Sequence, residues 1–427
     1  MILFLAALAA AGEGSGLSLA ETLRLVVERN PENRSAEAGV SIAAIQARRA
    51  RLDRFTASVG ATGGLEAGVA QTWNQPLGAA NAANWSVRAE AGLPIYAGGS
   101  IRAAIDEADA EWSIAQANHA ITQRSLVRAA YTAYWSIKGY ELQIAAAEEG
   151  LSLTKASLAV ISAKADAGLA AGIDVNRSTV DVVEQEAALI AERAQLYEAQ
   201  QELLRLLHME GEAVTLSDEP LAESPPLTVA PEALRPELAR NDHEAAAAAA
   251  AIRLAQARGL PTVTLGASAG VGSNPLDSSS SAFDAANLAP GVDARAGVSL
   301  QWNPFDWFQT RDSVAQARLS RAQVVWAGEA EVASIELELQ RAKSAASQLR
   351  ARAPLMEAQE SLARDNLSII SAMYTQGSVS ILDLFDAQSR FRNARVQRAN
   401  LRVALITAEY DLRWVTGEDL LAPGNAP

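Results

Sequence analysis

No cysteine occurs in the 427 residues, which removes disulfides, thiolate metal sites, catalytic thiols and an acylated N-terminal cysteine. Histidine is nearly as scarce, and His119, His208 and His243 lie scattered without metal-ligand spacing. Basic residues are outnumbered, 36 Lys and Arg against 50 Asp and Glu, for a net charge of −14. No basic run interrupts that balance, so nucleic acid and anionic membrane surfaces are poor partners. No later segment offers about 18 uninterrupted apolar residues, which argues against a transmembrane helix in the mature chain. A phosphate-binding G-x-x-x-x-G-K-[ST] loop is also missing, so any energy source must sit in a partner. The pattern G-x-S-x-G does occur, as "GASAG" at 266–270, but period-two alternation runs straight through it, without the strand–turn–helix context of a nucleophile elbow. No cofactor or catalytic residue is therefore expected.

The chain opens on "MILFLAALAAAGEGSG", an apolar run from Ile2 to Ala11 with Ala9 and Ala11 as small residues at a cleavage point. Residues 1–11 thus read as a signal peptide without a basic start, and the protein as exported. The remainder of the chain is a tandem duplication. "ADAGLAAGIDVNRST" at 165–179 is echoed by "YTQGSVSILDLFDAQSR" at 374–390, with Gly168 to Asp174 and Gly377 to Asp383 both six apart and offset by 209. "NPENRSAEAG" at 30–39 and "RPELARNDHE" at 235–244 repeat likewise, as do the stretches around Pro94 and Pro304. The expected organisation is a first repeat over 17–210, a Pro-, Ser- and acid-rich linker over 211–231, a second repeat over 232–421 and a tail over 422–427.

Each repeat carries one very long Ala-rich helical stretch, about 102–167 and about 310–374, which at 1.5 Å per residue reaches about 100 Å. In the closing helix Leu384, Ala387, Phe391, Ala394, Leu401, Leu405, Ala408, Leu412 and Val415 step by three and four, with Arg398 filling the gap in the series. That period of 3.5 predicts coiled-coil packing. Ahead of each long helix two segments alternate with period two. Ala57, Val59, Ala61, Leu65, Ala67 and Val69 face Ser, Thr, Glu and Gly; Trp85, Val87, Ala89, Ala91 and Leu93 face Ser86, Arg88, Glu90 and Gly92. The second repeat does the same from Val263 to Val271 and from Val292 to Trp302. Their length, charged opposite face and flanking Trp73, Trp85 and Trp302 fit lipid-facing strands with an interfacial aromatic girdle, with 72–84 and 273–291 as exposed loops. Four strands cannot close a barrel, so several protomers must share one.

Signal-like start, duplicated halves, paired strands and very long helices, from "LSLAETLRLVVERNPE" to "EYDLRWVTGEDLL", together resemble the TolC family of outer-membrane efflux and secretion factors. The resemblance implies a mainly α protomer with transmembrane β-strands. It implies a homotrimer whose 12-stranded outer-membrane barrel continues as a periplasmic α-helical barrel, partnered by a periplasmic adaptor (membrane fusion) protein and an inner-membrane RND or ABC transporter. It matches Asp383 and Asp386 to an acidic ring at the periplasmic gate, Tyr374 and Asp174 to a latch, and Gly168, Leu169, Gly377 and Ser378 to adaptor-docking turns. The family's second latch uses an Arg where this chain has Val379, and Ile173 replaces its polar partner, so fewer polar links are expected to hold the tip. The alternative from the residues alone is an exported coiled-coil scaffold with a soluble sheet and no channel.

Overall fold

The computed structural model describes residues 16–70, 78–210, 214–217, 235–273 and 290–418. The signal-like segment at 1–11, Trp73, most of the linker and the tail therefore lie outside the described residues. The elements run α1 (Leu19–Arg29), α2 (Pro31–Leu52), β1 (Thr56–Ala70), β2 (Gly78–Tyr96), α3 (Ser100–Asp166) and α4 (Gly172–Leu207), then α5 (Pro236–Ala257), β3 (Thr262–Ser273), β4 (Pro290–Gln301), α6 (Gln309–Thr375) and α7 (Ile381–Val415). Two strands followed by a long and a shorter helix thus occur twice. The first long helix begins two residues before, and the second one residue before, the sequence expectation. Pro354 sits inside α6 without ending it. Residues 78–84, read from sequence as loop, instead belong to β2, because their backbone pairs with β1 from Ala70↔Gly78 onward.

The chain groups into two compact units, one of residues 1–38, 118–238 and 330–427, the other of residues 39–117 and 239–329. In the first unit α1 starts with a capping box, Ser18 bonding the Glu21 N–H while Glu21 bonds back. Its buried face, Leu19, Leu23 and Val26, packs with Leu126, Tyr131, Tyr134 and Ile137 of α3, Leu203 and Leu207 of α4 and Tyr410 of α7. The Tyr131 hydroxyl donates to Asp411, and burial followed by that carboxylate raises the tyrosine's pKa. Trp414 is surrounded by the guanidinium groups of Arg124, Arg128 and Arg235 at 4.4–5.4 Å from its ring.

The second unit contains an antiparallel sheet in the order β1-β2-β3-β4. Its register stacks the apolar positions into rows: Ala61, Val87, Val271 and Val292; Val59, Ala89, Ala269 and Ala294; Ala57, Ala91, Ala267 and Ala296. The two intervening rows are Gly60, Arg88, Gly270 and Asp293, and Ser58, Glu90, Ser268 and Arg295. Because side chains alternate across the pleat, this register gives the sheet one apolar and one polar face. Val59, Val292, Val298 and Leu300 of the apolar face are exposed. "GASAG" lies within β3, with neither turn nor helix to make an elbow.

Both strand-to-helix turns in this unit use left-handed backbone at two successive residues. After β2 they are Gly98 (φ 59°) and Gly99 (φ 85°); after β4 they are Trp307 (φ 50°) and Phe308 (φ 70°). The positions correspond at the repeat offset of 209. Glycine takes this conformation freely, whereas a residue with a Cβ loses about 1–2 kcal/mol there. Gly98 has a further reason, since a Cβ would lie 2.7 Å from the Leu260 Cβ.

Candidate functional site

The first unit carries two helix-to-helix turns, one joining α3 to α4 and one joining α6 to α7. The turns are closed by the same two hydrogen bonds. Gly168 N–H donates to Ala165 O (2.9 Å) and Leu169 N–H to Lys164 O (2.8 Å); Gly377 N–H donates to Tyr374 O (3.1 Å) and Ser378 N–H to Met373 O (2.9 Å). This is a Schellman closure, which needs a left-handed residue after the helix, supplied by Gly168 (φ 75°) and Gly377 (φ 78°). A Cβ on either glycine would meet nothing within 4 Å, so backbone conformation and not crowding selects the residue. Gly168, Leu169, Gly377 and Ser378 are all exposed.

The helices that leave these turns differ. Ser380 caps α7 in a full capping box: its hydroxyl receives the Asp383 N–H (3.3 Å), while Asp383 Oδ2 accepts from the Ser380 hydroxyl (2.7 Å) and N–H (3.0 Å). Those Ser380 bonds, side chain first and backbone second, hold the Asp383 carboxyl below the ordinary carboxylate range. Ala171 caps α4 with no side-chain bond, leaving Asp174 outside any such box. Asp386 pairs with Arg390 one turn on, Nε to Oδ2 2.6 Å, both exposed. Of the two expected gate acids, one is thus tied to its own helix start and the other to a neighbouring cation.

Between the turns lies a small apolar cluster of Ile161, Tyr374, Ile381 and Leu384, with Val175, Val379 and Phe385 packed against it. Burial, then the Asp174 charge, raises the Tyr374 pKa, although no hydrogen bond joins the two side chains among the described residues. Val379 therefore contributes packing where the resembled family places a polar link. Ile173 stays exposed. Sequence reasoning missed Lys164. From the last turn of α3 its Nζ donates to the Tyr374 carbonyl (2.6 Å) and the Thr375 carbonyl (3.3 Å), and sits 4.3 Å from the centre of the Tyr374 ring. A cation at the carbonyl end of a helix is favourable, and a lysine shortly before a turn glycine was the available signal. That it serves α6 rather than its own helix was not visible in one dimension.

The sequence profile described as outer membrane efflux protein matches residues 22–207 and 231–418. The chain belongs to the outer membrane efflux protein family. As a family member it is an efflux channel component of the outer membrane that extends into the periplasm. Solved membrane proteins share its fold. A Pseudomonas aeruginosa membrane protein is 20% identical with a TM-score of 0.82, covering 93% of this chain and 92% of its own. Vibrio cholerae VceC, an outer membrane protein, is 19% identical with a TM-score of 0.76, covering 94% and 96%. The Neisseria gonorrhoeae MtrE outer membrane channel in its open state is 19% identical with a TM-score of 0.77, covering 95% and 90%. No curated protein matches the sequence. Membership disfavours the alternative of an exported scaffold with a soluble sheet.

In this outer membrane efflux protein Trp302 stands at the helix-side end of β4, exposed, with its indole N–H donating to Gly259 O (3.3 Å). Trp85 lies farther along β2, at the rung opposite Gly63, so the two tryptophans mark different levels of the sheet.

Proposed function

We propose that this efflux protein acts as a homotrimer, three copies giving four strands each to one 12-stranded barrel and their long helices to a periplasmic tunnel. The observation that carries this reading is the open sheet. One face is apolar and exposed, and β1 and β4 remain edges among the described residues. In hydrocarbon such edges would leave backbone groups unbonded at several kcal/mol each, so closure by further copies is required. Exposed apolar residues at heptad spacing support the same assembly. Val183, Ile190 and Tyr197 form such a line on α4, and Leu355, Leu362 and Ile369 another on α6. A heat-modifiable, detergent-requiring trimer in outer-membrane fractions is the expected result; a monodisperse monomer in plain buffer would overturn it.

The duct is passive and carries out no covalent chemistry. Its periplasmic entrance is the pair of turns, with Asp383 and Asp386 lining the narrowest ring, about six carboxylates in a trimer. Tyr374 and Asp174 form the latch region, and Lys164 joins them by bridging α3 to the end of α6. Opening must pull Lys164 from its two carbonyls and part the apolar cluster around Tyr374. Gly168, Leu169, Gly377 and Ser378 are the docking turns for the hairpins of a periplasmic adaptor, which links the duct to an RND or ABC transporter of the inner membrane. Acid rings favour cations. Planar-bilayer recordings should show block by divalent or trivalent cations, weakened in an Asp383→Asn/Asp386→Asn double variant; unchanged block would remove these acids from the gate.

A further inference from the structure

We propose that the turn between β4 and α6 is a lipid anchor, its aromatic side chains seated in the phospholipid headgroup layer at the helix-side edge of the sheet. Phe305, Trp307 and Phe308 are 87%, 88% and 67% exposed, within four residues of one another. Trp307 and Phe308 hold their rings outward at the cost of left-handed backbone, at positions where the other repeat uses two glycines. A soluble turn gains nothing from that arrangement. Strain retained at an exposed turn points to a function for the side chains that glycine cannot supply.

The occupant is indicated by continuity with the lipid-facing surface. The apolar rows of the sheet run down to Val263 and Leu300, one rung from its helix-side end. Beyond that end come Trp302 and the turn aromatics, and at the same end of the sheet exposed Phe55 precedes β1 and exposed Tyr96 closes β2. Moving away from this collar along β2, Trp85 comes eleven residues before Tyr96, about 36 Å of strand. Tilted by about 45°, that length spans roughly the hydrocarbon core of a bilayer, so the collar and Trp85 fall at its two interfaces. Indole and phenyl rings on amphipathic supports prefer that interface. Exposed Arg54, Arg258 and Arg311 lie on the helix side of the same strand ends, where lipid phosphates would meet them. Arg54 already stacks 4.9 Å over the Phe55 ring.

This inference rests on the reading of the apolar sheet face as lipid-facing, and the test separates the two. The cysteine-free chain allows single nitroxide labels at Trp307→Cys, Val298→Cys and Leu169→Cys in full-length protein reconstituted into phosphatidylethanolamine/phosphatidylglycerol vesicles. Collision with oxygen and with a water-soluble nickel chelate reports depth. The Val298 label should favour oxygen by at least tenfold relative to the Leu169 label, and the Trp307 label should fall between them at headgroup depth. If the Val298 label is as open to nickel as Leu169, the lipid-facing reading falls and the anchor with it. If Val298 lies in hydrocarbon but the Trp307 label matches Leu169, only the anchor falls. A Trp307 label shielded from both quenchers means that a second copy covers the turn, which also overturns the anchor. In parallel, Trp307→Gly/Phe308→Gly should unfold in micelles at no lower denaturant concentration than the wild type, yet insert from urea into the same vesicles at least threefold more slowly. Wild-type insertion kinetics in that variant would overturn the proposal.

Discussion

The two helical hairpins, α3–α4 and α6–α7, share a backbone plan and diverge in what fills it. At the offset of 209, Leu151 and Leu189 of the first correspond to Glu360 and Arg398 of the second. The first pair is buried in an apolar layer with Val182. In the second, Glu360 is 3% exposed and accepts from Arg398 (2.6 Å) and Arg364 (2.7 Å). One layer is therefore closed by hydrophobic contact and its copy by a buried carboxylate held by two partly exposed arginines. The turns diverge in the same way: Ala171 against Ser380 as helix caps, Gly98-Gly99 against Trp307-Phe308 as strand exits. Even the exposed pair Asp386–Arg390 has its charges reversed in the first repeat, as Arg177 and Asp181. The duplicated plan fixes where a special backbone or a filled layer is needed, and leaves open which chemistry meets the need.

Exchanging side chains between copies tests that statement. The largest effect is expected where the second repeat's aromatics are moved into the first. Gly98→Trp/Gly99→Phe adds left-handed strain at both positions and a clash with Leu260, and should cost at least about 3 kcal/mol in guanidinium unfolding in micelles. A loss below about 1 kcal/mol would mean that the first turn is not constrained as described. Next comes Arg398→Leu, which completes the heptad pattern on paper but leaves Glu360 with Arg364 alone. About 1–2 kcal/mol should be lost, because Glu360 is buried but Arg398 is partly exposed and Arg364 still pairs with the carboxylate, whereas Glu360→Leu/Arg398→Leu, copying the first hairpin, should be neutral or stabilising by about 1 kcal/mol. Equal losses in the single and double variants would refute this account of the buried carboxylate.

At the caps the expected changes are smaller and opposite in sign. Ser380→Ala should destabilise by about 1 kcal/mol and Ala171→Ser should stabilise by up to that amount, since Asp174 stands ready as the partner of a new capping box. For the gate, Lys164→Met should raise single-channel open probability several-fold, and Tyr374→Phe less, because among the described residues the lysine side chain bridges the two turns by hydrogen bonds and the tyrosine hydroxyl does not. Tyr374→Phe with unchanged conductance would remove the hydroxyl from the latch. The smallest effect concerns pH. The folded state depresses the Asp383 pKa, so its contribution is present at neutral pH and is lost as pH falls below the ordinary value of 3.8 and through the depressed one. In Ser380→Ala the Asp383 titration, followed by NMR, should move up toward 3.8. An unmoved titration would show that the hydroxyl is not the cause.

Much of this was readable in one dimension. Uninterrupted helix-forming stretches gave both long helices to within two residues, and strict alternation gave the four strands, because both periods follow from backbone geometry. Gly168 and Gly377 were legible as turn residues, and Asp383 and Asp386 as a pair on one helix face. Beyond Leu401 the heptad reading was too narrow: Ile406, Glu409, Tyr410 and Arg413 are also buried, since α7 there enters a core with several neighbours. The local partners of Asp383 and Asp386 were legible in principle, from a serine three residues before and an arginine four after.

By itself, the sequence determined element types, the duplication and the two-faced character of the strands, all properties of residues close in the chain. Tertiary structure alone decided that Lys164 serves α6, that Arg398 neutralises Glu360, and that two aromatics occupy a backbone made for glycine. The reason is that such choices depend on which groups meet across tens to hundreds of residues, where desolvation and steric fit, rather than local periodicity, set the energy.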